Sequence, residues 1–156
     1  MRNIFRIFVF VFAAVAMFYY ATLRAEEPRT AEEEFVFNTR QGLFLGLEIA
    51  GKKVSLEQKA QIHDLIEEQS KLIVARLKKI GLYDQWSAQI LDPEIQKLNR
   101  ATLDCHKIEE INKLMDTQIA LINKKYPGLI EKIENDREIN QITRRIFRRA
   151  IKIVED

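Results

Sequence analysis

A single cysteine, Cys105, stands among 156 residues, so no disulfide within the chain can brace the fold. Stability has to come from packing, or from a bridge between two chains. Proline and glycine are also scarce, at three and five. With 31% charged residues, that scarcity fits a helical protein with short connections. No low-complexity tract, no solenoid-type repeat and no strand-like alternation is present. There is no Gly-rich phosphate loop, no His-Glu-x-x-His and no Gly-x-Ser-x-Gly, so the common sequence signatures of nucleotide, zinc-peptidase and serine-hydrolase chemistry are missing. Charge of one sign is lacking too. The chain carries +2 overall, but Arg2, Arg6 and Arg24 fall within the first 25 residues, which hold no acid, and the remainder is at −1. That balance gives no global case for binding nucleic acid.

What the sequence does have begins at its N-terminus. A short basic stretch with Arg2 and Arg6 leads into a continuous apolar run at residues 7–20, followed by Ala21, Thr22, Leu23, Arg24 and Ala25 and then the acidic Glu26 and Glu27. This is the pattern of an export signal, with cleavage expected after Ala25. The rival reading is a retained anchor over residues 7–23, at the short limit for spanning a bilayer, with the arginines on the cytoplasmic side. Both readings place the remaining chain outside the cytoplasm, in the periplasm of a bacterial envelope. The expected organisation is therefore a signal or anchor at 1–25 and a single all-helical domain at 26–156.

Residues 54–81 organise that domain. Ser55 is placed to cap a helix, Glu57 and Gln58 fall in its first turn, and Ile62, Leu65, Ile66, Leu72, Ile73, Leu77 and Ile80 form one apolar stripe. Gly81 suits the left-handed stop. Before it, Thr30 with Glu33 forms a capping-box pattern, and a helix is expected over 31–50, weakened by Gly42 and Gly46. After it, Asp84 is expected to cap a short turn carrying Trp86. Asp92-Pro93 then restarts a second long helix over 93–126 with the stripe Leu98, Ala101, Cys105, Ile108, Ile111, Met115, Ile119 and Ile122. Pro127-Gly128 breaks the chain before a last helix over 129–154. The expected fold is all-α: an antiparallel hairpin or bundle of about four helices, the two long ones as neighbours.

Few residues carry chemistry. His63 and Glu67, and His106 and Glu110, are each four apart. If the two long helices lie side by side, the pairs could meet around zinc or copper, which makes a metal sensor one reading. The plainer reading leaves them as polar positions beside a seam. Cys105, on its stripe, reads as a small buried hydrophobe; His106 projects about 100° away from it and is badly placed as its base. Trp86 either plugs the end of a helical hairpin or anchors a partner. The last helix carries Arg144, Arg145, Arg148, Arg149 and Lys152 on its polar side. That cluster is either a solvated face or a contact for anionic headgroups, an acidic partner protein or an acidic stretch of an unfolded client.

Residues 42–69, GLFLGLEIAGKKVSLEQKAQIHDLIEEQ, resemble the periplasmic Spy/CpxP family. Val54-Ser55-Leu56-Glu57-Gln58 stands where that family opens a long helix with an LTxxQ motif, and Gly42-Leu43-Phe44 with Gly46-Leu47 resembles the short Leu-rich helix before it. The connector at 49–53 is longer than the family's. The resemblance implies an all-helical, cradle-like homodimer with chaperone or envelope-stress roles and no cofactor. The expectation carried forward is thus a non-enzymatic envelope protein that binds other polypeptides in an apolar groove rimmed by the last helix's arginines. Two alternatives are an accessory subunit of a membrane-associated envelope or secretion complex, and a periplasmic metal-binding sensor.

Overall fold

Thr30 opens the first helix by accepting the Glu33 N–H at 3.2 Å, while the Glu33 carboxylate accepts the Thr30 N–H at 2.8 Å. This reciprocal box satisfies two amide protons that a helix start otherwise leaves bare. The computed structural model describes residues 29–155; the expected signal or anchor at 1–25 lies outside them. Among the described residues there are seven helices and no strand: α1 (Ala31–Ile49), α2 (Leu56–Lys79), α3 (Tyr83–Ile90), α4 (Pro93–Leu103), α5 (Ile108–Lys125), α6 (Leu129–Asn135) and α7 (Arg137–Glu155).

The organising helix forms as its sequence dictates. Ser55 and Gln58 make a second capping box, and Gly81, at φ 71°, ends the segment in the left-handed region. Gln58 does a further job: its amide donates to the Ile153 carbonyl at 2.9 Å, satisfying an acceptor in the last turn of α7. At the other end of α2, Arg76 meets Asp136 just before α7. The two helices therefore run antiparallel. So do α1 and α2, with Glu32 near Lys78 at 3.7 Å and Arg40 near His63 at 3.3 Å.

Ile62, Leu65, Ile66, Ile73, Val74 and Leu77 of α2 form the spine of the core. They pack with Phe35 and Leu43 of α1, Trp86 and Ile90 of α3, Leu129 of α6, and Ile139, Ile142, Ile146 and Ala150 of α7. Each such aliphatic side chain taken from water contributes about 1.5–3 kcal/mol.

Three expectations need correction. The helix expected over 93–126 is two helices folded back on one another, with a turn at Asp104, Cys105, His106 and Lys107. Their shared seam buries Ile95, Asn99, Thr102 and Leu103 against Ile111, Met115, Gln118 and Ile122, whereas Ala101 and Ile108 of the expected stripe are exposed. The neighbours of α2 are consequently α7 and α1, not the 93–126 segment. The helix expected over 129–154 breaks at Asp136, whose carboxylate accepts the Ile139 N–H at 2.9 Å and starts α7 afresh. Asp84 does not cap α3; Leu82 holds that position, without a side-chain hydrogen bond, and Asp84 falls in the first turn. About four helices becomes seven: the two breaks add one each, and the short turn expected around Trp86 is the helix α3.

Asp92 closes the base of the α4–α5 pair. One carboxylate oxygen accepts the N–H groups of Glu94 and Ile95 at 3.0 and 3.3 Å, and the carboxylate also takes Lys125 at 3.0 Å and the Tyr126 hydroxyl at 3.2 Å. Burial pushes its pKa up, but Lys125 and the two amides together outweigh burial and hold it below its ordinary value.

Candidate functional site

Three consecutive residues of α1, Phe35, Val36 and Phe37, are apolar. Successive side chains on a helix diverge by about 100°, so a single core cannot take all three. Phe35 enters the core, and Phe37 turns the other way. There α1 and α2 enclose a groove of about 900 Å³, whose apolar lining is Val36 and Phe37 from α1 with Val74 and Ala75 from α2. Its rim is charged in both signs: Arg29, Glu32, Glu33 and Arg40 on one side, His63, Glu67, Lys71 and Lys78 on the other. Ser70 also lines the groove, 3% exposed, and among the described residues its hydroxyl has no hydrogen-bond partner.

The rim is pinned at both ends. At one end the Tyr83 hydroxyl donates to Glu32 at 2.5 Å. That bond, reinforced by Lys78, lowers the Glu32 carboxyl below its usual range, and the carboxylate in turn raises the Tyr83 phenol. Toward the other end the Arg40 guanidinium carbon lies 5.3 Å from the centre of the Phe37 ring, while Arg29 reaches from the Glu32 end to place its own 4.0 Å from the same ring. Burial, then the neighbouring Arg29 charge, pulls the Arg40 guanidinium below its ordinary value; it remains a cation at neutral pH.

His63 belongs to this groove. Its Nδ1 lies 3.3 Å from an Arg40 nitrogen and its Nε2 lies 3.8 Å from Glu67. The second pair imagined for a metal does not share a helix face: His106 sits exposed in the α4–α5 turn, and Glu110 is on α5. A guanidinium beside His63 also disfavours a cation there. Among the described residues, no group of three or more His, Cys, Asp or Glu is gathered as a metal would need.

Cys105 is not the buried stripe residue expected. It is partly exposed in the same turn, with its thiol 3.2 Å from Glu110. The thiol bond, followed by Lys107, lowers the Glu110 carboxyl. Trp86 is 3% exposed, edge-on to Phe35 at 5.3 Å between ring centres, and is part of the core. That burial leaves it almost no surface to offer a partner.

Arg144, Arg145, Arg148, Arg149 and Lys152 do share the exposed side of α7. None of them lines the α1–α2 groove. The α1–α2 groove and the arginine face of α7 are thus separate surfaces, and Arg145 borders a second groove, between α2 and α7, with Leu72 and Ile142. No helix among the described residues is long and apolar enough to cross a membrane. Comparison with protein-family models, with curated proteins and with solved structures finds no match to this chain.

Proposed function

We propose that this protein is a non-enzymatic binder of other polypeptides in the bacterial envelope, and that its partner lies in the α1–α2 groove. The observation that carries this reading is the groove's composition: an apolar lining of Val36, Phe37, Val74 and Ala75 inside a rim of both charge signs. Apolar contact supplies affinity without demanding one sequence, and a mixed rim orients the bound chain without selecting for net charge. Such a surface suits segments of varied sequence, as an unfolded client presents. The export pattern at 1–25 supports the compartment. The resemblance of residues 42–69 to the Spy/CpxP family supports the same class of activity, and the motif-like Ser55 and Gln58 do cap a long helix.

The test is suppression of aggregation of a chemically unfolded client, followed by light scattering. The full chain is expected to suppress it near stoichiometric amounts. Phe37→Ser and Ala75→Arg should lose that effect, while Leu91→Ser, a change at an exposed apolar residue outside the groove lining, keeps it. An inactive parent chain, or groove variants as active as the parent, would overturn the reading.

A further inference from the structure

The two acids of α7 are both turned to other elements: Glu138 pairs with Arg76 at 3.1 Å and Glu155 with Lys52 at 3.9 Å. Between them the exposed side of the helix carries Arg144, Arg145, Arg148, Arg149, Ile151 and Lys152 and no acid. Arg148, Arg149 and Lys152 make no ion pair among the described residues, and Arg145 reaches only the Gln69 amide oxygen, at 3.3 Å. At 100° and 1.5 Å per residue, the five cations fan over roughly 140° of arc and about 12 Å of axis. Ile151, 44% exposed, sits at the edge of that fan.

We infer that this face of α7 docks on an anionic lipid surface. A convex ridge with cations splayed across its width meets a plane of dispersed phosphates along its whole length. An acidic peptide or a nucleic-acid strand would instead need a channel to follow; the groove between α2 and α7 holds Arg145 with Arg76, Lys79 and Arg137, but Arg76 is committed to Asp136 and Glu138, and Arg144, Arg148, Arg149 and Lys152 stand outside it. The exposed Ile151 suits the boundary between headgroups and acyl chains, where an amphipathic helix places its apolar edge.

The inference is independent of the α1–α2 groove and is tested by co-sedimentation of the full chain with vesicles. One set contains about one-third phosphatidylglycerol in phosphatidylcholine, the other phosphatidylcholine alone. Arg148→Glu/Arg149→Glu is the variant; both positions are exposed, and circular dichroism verifies its fold. On anionic vesicles the parent chain should partition roughly tenfold or more above the variant. The gap should close on neutral vesicles and in about 0.5 M salt. Residues 1–28 are identical in the two chains, so their contribution cancels. Equal partitioning of parent and variant on anionic vesicles overturns the inference. So does displacement of the parent from the vesicles by polyglutamate or single-stranded DNA at matched charge, which would assign the face to a soluble polyanion.

Discussion

Arg76 and Asp136 face each other across the α2–α7 boundary. Nε of the guanidinium donates to both carboxylate oxygens at 3.2 and 3.1 Å, and Nη2 donates to Oδ2 at 2.7 Å. The same carboxylate accepts the Ile139 N–H and caps α7, so one residue ends α6, starts α7 and ties α7 to the spine of the core.

Asp136→Ala should therefore remove a cap and an ion pair together. Loss of the cap alone costs about 1 kcal/mol, up to about 2. Asp136→Asn keeps capping ability and removes the charge, and separates the two contributions. The pH dependence has a definite sign. The Arg76 guanidinium lowers the Asp136 carboxyl below its ordinary value, so the folded state binds that proton less readily than the unfolded state. The stabilisation is complete above about pH 4 and drains away as pH falls through the lower folded value. Urea unfolding followed by the fluorescence of Trp86, the sole tryptophan, should show the parent chain losing more stability than Asp136→Asn on acidification. Parallel losses in the two chains would mean that other carboxylates set the acid limit.

Asn99 and Gln118 are 2% and 1% exposed within the α4–α5 seam, where the Gln118 amide donates to the Asn99 oxygen. Among the described residues the Gln118 oxygen has no partner of its own. Asn99→Ala would strip the amide of the Asn99 acceptor and is expected to cost about 1–3 kcal/mol, the penalty for stranding a buried polar group. Asn99→Leu with Gln118→Leu removes both ends of the bond and should be far less costly, or stabilising. A double-mutant cycle measures the difference, and additive single losses would show that the two amides are not coupled.

Local signals decided how much could be read in advance. The capping box at Thr30, the cap at Ser55, the stop at Gly81 and the restart at Asp92-Pro93 act within one turn of chain, and each is realised. The break at Asp104–Lys107 has no such marker. It contains neither proline nor glycine, and an apolar residue recurs every three or four positions across it. What ends the helix is tertiary: α4 and α5 bury more by folding on each other, with Asn99, Thr102 and Gln118 inside, than by continuing as one rod. A stripe defined by apolar residues alone could not find a seam whose middle is polar. The break at Asp136 does have a signal, an aspartate three residues before Ile139, but the apolar pattern runs past it without interruption. The α1–α2 groove was likewise available in outline, since Phe35, Val36 and Phe37 cannot share one face. Its opposite wall could not be read without knowing which helices are neighbours.

Tyr83 and Glu32 supply the last test, because one hydrogen bond shifts both partners and the shifts have opposite senses. Tyr83 is raised by the carboxylate it serves, so its stabilisation is present below about pH 10 and is lost as pH rises through the higher folded value. Glu32 is lowered by the phenol first and Lys78 after it, so its stabilisation is present above the ordinary carboxylate range and is lost as pH falls through the lower folded value. The bond thus contributes across a neutral plateau bounded on both sides. Because the Glu32 side chain is 36% exposed, solvent screening limits its worth to about 0.5–1 kcal/mol. Tyr83→Phe should lower the plateau by that amount and leave the stabilities at the two pH extremes nearly unchanged. In ultraviolet titration of the folded chain, the difference between the parent and Tyr83→Phe isolates one phenol among four tyrosines. Glu32→Gln should bring that phenol's ionisation back toward the ordinary tyrosine range, and an unchanged titration would mean that the groove end is held by the aromatic contact of Tyr83 with Trp86 instead of by this bond.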